Sequence, residues 1–338
     1  MNVGSPFLLS PAGKDYLWGG SRLKDDYAKE LDMSPLAETW ECSTHPDGPS
    51  IVASGPNQGK LLSDVIKDHP EYLGTRPLAM MTEEEIAKGD IPILIKFIDA
   101  KKDLSVQVHP SDEYAKKEEG GQRGKTELWY VLDAKKDSSL IYGFHHDISK
   151  KKLEKSLKAG TVERYLQKVS VKKDDVFLIK AGTVHAIGAG IMVAEIQESS
   201  NLTYRMYDYN RLGKDGKPRE LHIEKSLAVA NLKHSQIPRQ PIRTLQFRPG
   251  VASELLCRCK YFQTKRLMIN TEVYKKMISV SADPSSFQVL LCYDGCGLLI
   301  PENGDVLPFF KGDCIFVPAA NSGEFKLHGK AKLLRVNC

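Results

Sequence analysis

The stretch IPILIKFIDAKKDLSVQVHP, residues 91–110, decides the fold. Its first eight residues are apolar but for one lysine and rich in isoleucine, a run of strand length rather than helix length. A polar break follows, and then Ser105-Val106-Gln107-Val108-His109 alternates, which sends Gln107 and His109 to one face of a second strand and Val106 and Val108 to the other. The same rhythm of short apolar runs broken by Gly, Asn and Asp recurs in TELWYVLDA (126–134), SSLIYGF (138–144), DVFLIKAGTVHAIG (175–188) and GIMVAEIQ (190–197). The chain is therefore expected to be mainly β.

Helices are expected to be few. Residues 60–73 gather Leu61, Leu62, Val65, Ile66 and Leu73 near one face; residues 149–159 open on Ser149 as an N-cap and stop at Gly160; residues 221–231 carry Leu221, Leu227 and Val229. Periodicity is lost in RQPIRTLQFRPG (239–250), which places a boundary between residues 1–240 and a smaller β domain, residues 241–338. In that second part FQVLLCYDGCGLLI (287–300) and GDCIFVPAANSGEFKL (312–327) read as strand, turn and strand, and His328 stands alone on what reads as an exposed turn.

Composition narrows the function. Among 338 residues, 41% are hydrophobic and 27% charged, an ordinary globular balance. The formal net charge of +5 is dispersed, which suits a small anionic substrate and argues against nucleic acid. The densest basic run, Lys150 to Lys152 with Lys155 and Lys158, reads as a solvated helix face. The opening residues lack the basic and apolar regions of a signal peptide, no apolar run reaches the roughly 18 residues of a membrane span, and seven scattered cysteines suit a reducing cytoplasm. Cys257-x-Cys259 and Cys292-x3-Cys296 have no partner pair at zinc-site spacing and read as buried strand thiols.

The chemistry gathers elsewhere. Glu127 stands at the start of the strand LWYVLDA, and His185 follows the turn Ala181-Gly182-Thr183-Val184 at the start of another. With Gln107 and His109 they make two imidazoles, one carboxylate and one amide oxygen, a mixed set suited to zinc or another borderline divalent ion and still leaving it positive enough to steady a developing oxyanion. Glu195 shares a strand face with Gln197 amid apolar neighbours and needs a partner: a ligand histidine, a transferred proton, or a buried Lys or Arg. Trp18 and Trp40 are candidates for a sugar cleft or for the core.

Several passages carry a family resemblance. LIKFIDAKKDLSVQVHPSD (94–112), GKTELWYVLDA (124–134), IKAGTVHAIGAG (179–190) and EIQESSNLTYRMYDYNR (195–211), with YLWGG (16–20) and AETWECSTHPDGPS (37–50), resemble the type I mannose-6-phosphate isomerases, in their short bacterial form, over roughly residues 7–235. The resemblance implies a cupin-type jelly-roll β-barrel, a degenerate cupin-like C-terminal domain without metal, one Zn2+ per chain held by Gln107, His109, Glu127 and His185, and interconversion of mannose 6-phosphate and fructose 6-phosphate. It also implies active-site places for Lys125 of GKTE and Arg205 of TYRMYDY. One position departs: Ser111 of HPSD stands where the family commonly has an acidic residue.

Such an isomerisation moves a proton between C1 and C2 through a cis-enediol or enediolate, and so needs a proton carrier and stabilisation of an oxyanion. Arg205 with the metal suits the second task and Lys125 the first; Ser105, Lys96 and Arg205 are candidates for the phosphate, with Glu195 as a further substrate-side residue and Tyr204, Tyr207 and Tyr209 shaping the pocket wall. Two rivals use the same scaffold. An iron-dependent cupin oxygenase would use two His and one carboxylate with open positions, one of which Gln107 fills, and a non-catalytic sugar-phosphate-binding cupin would not need Lys125 and Arg205. No membrane partner is expected, and the protein is expected to be a monomer or homodimer.

Overall fold

The computed structural model describes residues 4–213, 215–236, 238, 240, 244–274, 276–281, 283–302, 304–319 and 323–338. Strands take up 40% of the chain and helices 18%, as the alternating runs require. The strands form three antiparallel sheets. A six-stranded sheet runs in the order Val176–Ile179, Glu127–Ala134, Ile191–Glu198, Ile93–Asp99, Glu38–Cys42, Ala12–Lys14. A five-stranded sheet runs Tyr204–Tyr207, Val106–Val108, His185–Ala186, Ser139–Phe144, Leu166–Ser170.

These two sheets face each other. Ile98, Trp129, Val131, Phe177 and Val193 of the first share one apolar cluster with Leu140 and Val169 of the second. On its other face the six-stranded sheet offers Ile93, Ile95, Phe97, Leu128, Tyr130 and Ile196 to Phe287, Val289, Leu291, Phe316 and Leu334 of a ten-stranded sheet. Every residue of Ile93–Asp99 and of Ile191–Glu198 is therefore buried, which is why both runs are so nearly continuous in hydrophobicity. The far face of the five-stranded sheet is covered by the helices Lys150–Lys158 and Ile223–Val229 through Leu153, Leu157 and Leu227.

The ten-stranded sheet holds the C-terminal strands, from Gln246–Arg248 to Glu324–Asn337, but its path ends on two strands from the other end of the chain. Phe7–Ser10 pairs with Cys314–Val317, Phe7 opposite Phe316, and Ile51–Val52 pairs with Phe7–Ser10 in turn. Of the boundary stretch, Arg239, Pro241, Ile242 and Arg243 lie outside the described residues, as do residues 320–322 of the turn expected within 312–327.

The helix Lys150–Lys158 forms as expected, with the Ser149 side chain accepting from Lys152 N–H, Leu153 and Leu157 buried and all the lysines of the run exposed. Residues 60–73 divide into Leu62–Asp68 and a 3-10 turn Pro70–Leu73 because Pro70 cannot continue the first helix. Short helices at Thr75–Ala79, Glu83–Lys88 and Asp112–Glu118 add to the expected set, the last capped by Ser111, whose Oγ accepts from Tyr114 N–H at 3.3 Å. His328 is not on a turn: it lies half-buried in the strand Glu324–Asn337, its Nδ1 2.8 Å from Thr271 Oγ1. All seven cysteines are free thiols; Cys257 and Cys259 are only half-buried and Cys296 is exposed, so the expectation of buried thiols holds for Cys292 but not for these. Among the described residues no helix is long and apolar enough to cross a membrane.

Candidate active site

The two facing sheets are apolar at one end of their shared interior and polar at the other. On the six-stranded sheet Glu127, Lys96, Glu195 and Gln197 occupy the positions that alternate with outward-packed Leu128, Ile95, Ala194 and Ile196. Opposite them, Gln107 is the register partner of both His185 and Arg205, so three neighbouring strands of the five-stranded sheet each send one polar side chain to the same place.

His109, Glu127 and His185 offer ligand atoms that all lie within 4.8 Å of one another, and all three are buried. His185 Nε2 is 3.1 Å from His109 Nε2 and 3.3 Å from Glu127 Oε1, while His109 Nε2 is 3.5 Å from Glu127 Oε2. The His185 Nδ1–H donates to Thr183 O at 2.7 Å, which leaves the Nε2 lone pair aimed at the cluster. The amide end of Gln107 is 3.4 Å from His185 Nε2, and a half-turn of that amide presents Oε1 there. Neither Glu127 oxygen has a hydrogen-bond partner although both are buried. A fully buried carboxylate facing two imidazole lone pairs is a poor arrangement for a plain core and a good one for a divalent cation.

The charges agree with that fit. Burial, reinforced by the Lys125 ammonium, pulls His109 down to about 3, and burial lowers His185 as well, so both imidazoles stay neutral and able to ligate. Burial alone would raise the Glu127 carboxyl, but Lys125 and the two histidines outweigh it and hold it well below the usual carboxylate range. Lys125 Nζ is 3.2 Å from Glu127 Oε2, beside the cluster.

Arg205 sits at the rim. Its backbone N–H donates to His222 Nδ1 at 3.1 Å and its Nη1 to Glu220 O at 2.9 Å, while its buried Nε–H meets no acceptor among the described residues. Glu195 finds its partner in Lys96, Nζ to Oε1 3.0 Å, and also accepts from Trp129 Nε1 at 2.9 Å; Lys96 reaches Glu38 at 3.7 Å as well. Burial works against charge on Lys96, yet Glu195 and Glu38 raise its pKa above the usual value. Trp40 is fully buried, donating to Glu38 at 2.8 Å beneath the Lys96 ammonium, and Trp18 packs into the interior apolar cluster. Ser105 is buried just before Val106–Val108.

The tyrosines correct the sequence reading. Tyr204 and Tyr207 belong to the cluster on the far face of the five-stranded sheet and Tyr209 packs against it, so they do not wall the pocket. The register slips between Arg205 and Tyr207, which sends Tyr207 to the same side as Tyr204. Sequence reasoning missed Tyr16, which lies half-buried near Glu38, Lys96 and Arg205 and is pushed up to about 12 by burial and then by Glu38. It also missed Asp208, which accepts from Arg219 Nε at 2.8 Å and from Arg211, fixing the loop behind Arg205. The alternating Glu38 and Trp40 signalled the first group; nothing local signalled the second.

A deep two-sheet β sandwich with a buried His, Glu, His cluster at its polar end is the architecture of a metal-dependent cupin. A model of the type I phosphomannose isomerase catalytic domain matches residues 7–141. Mannose-6-phosphate isomerase ManA of Bacillus subtilis is 36% identical over 97% of this chain and 98% of its own length, and the mannose-6-phosphate isomerase of Streptococcus mutans is 38% identical over 68% of this chain and 69% of its own. The crystal structure of the Bacillus subtilis mannose 6-phosphate isomerase superposes with a TM-score of 0.87 at 33% identity, covering 98% of this chain and 99% of that one. The chain belongs to the type I mannose-6-phosphate isomerase family, and it is an isomerase of cupin fold.

Proposed function

We propose that the protein interconverts mannose 6-phosphate and fructose 6-phosphate, with one zinc ion held by Gln107, His109, Glu127 and His185. The observation that carries this reading is the convergence of three buried ligand side chains, two imidazoles and a carboxylate, in a chain that matches the family along nearly its whole length. Bound zinc supplies a Lewis acid that lowers the cost of negative charge on nearby sugar oxygens. Lys125 Nζ carries the proton between C2 and C1 through a cis-enediolate, and the Arg205 guanidinium donates to the O1/O2 edge as charge builds there. Ser105, Lys96 and Glu195 complete the sugar-phosphate side. Because Lys96 is already neutralised by two carboxylates, its part is to fix Glu195 and orient sugar hydroxyls. We further infer a division near residue 240, a monomer or homodimer, and a cytoplasmic setting that keeps the seven thiols free.

The test joins a coupled assay for fructose 6-phosphate with metal quantification. Chelation is expected to abolish turnover and added zinc to restore it. Full activity in metal-free protein would remove the proposal, and restoration by iron alone with oxygen consumption would favour an oxygenase.

A further inference from the structure

Lys125 lies in a turn, Gly124 to Thr126, whose three amide N–H groups are all taken by groups outside it. Gly124 N–H donates to Asp112 Oδ1 at 3.1 Å, Lys125 N–H to Pro110 O at 3.1 Å, and Thr126 N–H to Glu198 Oε1 at 2.7 Å. Glu198 also donates its own N–H to Thr126 O at 3.1 Å, so one residue binds both backbone groups of Thr126. The turn is pressed so closely on residues 110–112 that a Cβ at Gly124 would stand 2.4 Å from Asp112 N and 2.5 Å from Ser111 C. Only glycine fits.

Asp112 and Glu198 also touch each other through their carboxyls. Glu198 is 1% exposed, and among the described residues its Oε2 has no hydrogen-bond partner. Glu198 is buried while Asp112 keeps about a quarter of its side chain exposed, so charge is costlier on Glu198 than on Asp112. Burial and then Asp112 raise Glu198 to about 8. Burial opposes charge on Asp112, yet the Tyr261 hydroxyl, the Glu198 carboxyl and the Gly124 amide keep it below the ordinary range. From the C-terminal strands' loop, Tyr261 OH donates to Asp112 Oδ2 at 2.8 Å and Lys260 Nζ approaches the same oxygen at 3.4 Å. Cys259 of that loop also lies near Tyr261, and the Arg123 carbonyl accepts from Ser200 Oγ at 3.0 Å.

We propose that Asp112 and Glu198, which hold the Gly124 and Thr126 amides on either side of Lys125, with Tyr261 anchoring Asp112, are a positioning device that sets Lys125 against the His109, Glu127 and His185 cluster. The inference rests on the reading of Lys125 as proton carrier. It gives the C-terminal domain a part in catalysis: that domain supplies the hydroxyl on which the clamp closes. Glu198 touches no reacting atom and acts through the turn alone.

The test uses the full-length zinc-loaded protein. Glu198→Ala is expected to lower kcat on the order of 100-fold, the cost of a small misplacement of a reacting group, with KM and bound metal little changed. Glu198→Gln is expected to recover most of that loss, since its amide can accept from Thr126 and donate to Asp112. Amide hydrogen exchange over residues 123–127 is expected to quicken in Glu198→Ala and not in Glu198→Gln. Wild-type kcat in Glu198→Ala, metal loss that tracks the activity loss, or a glutamine variant as damaged as the alanine one would each overturn the proposal. Should Glu198→Ala fail to fold, Tyr261→Phe takes its place: faster exchange over 123–127 with lowered kcat supports the clamp, and wild-type behaviour on both counts overturns it. Wild-type turnover in the same assay tests the isomerase reading separately, and the exchange measurement stands whatever the substrate proves to be.

Discussion

His185 and Arg205 stand on the two strands that flank Val106–Val108 within the same layer, yet they are expected to fail differently. His185 is fully buried with its lone pair on the cluster, so His185→Ala should lose metal and activity together. Arg205 lies beside the cluster without a ligand atom in it, so Arg205→Ala should keep its metal and lose rate, by about 10²–10³ for one missing oxyanion donor. Metal analysis beside the coupled assay checks both, and equal metal loss would show Arg205 to be structural. Glu198 adds a pH dependence. Its pKa is raised from 4.5 to about 8 in the folded chain, so the stability it contributes is full below 4.5 and is lost as pH rises through about 8. Urea unfolding across that window should show the decline, and Glu198→Gln should flatten it. At this scale the meeting of His109, Glu127 and His185 was legible from the sequence, because alternation sends His109 inward with Gln107 and the preceding turns place Glu127 and His185 at strand starts. The clamp was not, because Glu198 and Thr126 meet across 72 positions of chain with no local signature.

Elements of strand length were readable where hydrophobicity alternates or runs unbroken, and they came out at Ile93–Asp99, Glu127–Ala134 and Ile191–Glu198. Alternation failed at the bulge after Arg205, which turned Tyr207 away from the pocket. Short helices such as Glu83–Lys88 escaped because six residues hold fewer than two turns, too few for a period, although Thr82 and Glu85 form a full capping box there. The helix Lys150–Lys158 was readable because its cap and its apolar stripe agree. Ser149→Ala removes the acceptor for Lys152 N–H and should cost about 1 kcal/mol, read as a lowered urea midpoint with kcat unchanged, since this helix covers the face of the sheet away from the site.

Over the whole molecule, three sheets stack so that the middle one is shared: one face lines the site and the other packs on the C-terminal layer. That sharing explains why polar side chains on its inner face are held so firmly, since the strands bearing them have no free side on which to shift. Sequence reading placed the layers apart because it followed the chain in order, and no local pattern announces that Phe7–Ser10 pairs with Cys314–Val317. Deleting residues 1–11 would strip buried Phe7 and Leu9 from the shared core and bare the edge of Cys314–Val317. A loss of several kcal/mol is expected, seen as an early unfolding transition and, by size-exclusion chromatography, as self-association.

The pairing of Phe7 with Phe316 also bears on how the protein comes to be made. During synthesis the first strand leaves the ribosome long before its neighbour exists, and it must wait, apolar and unpaired, while some three hundred residues follow it. Closure of that sheet is the step with the longest loop to close, so it is expected to be late and to set the window in which nascent chains are vulnerable to capture or misassembly.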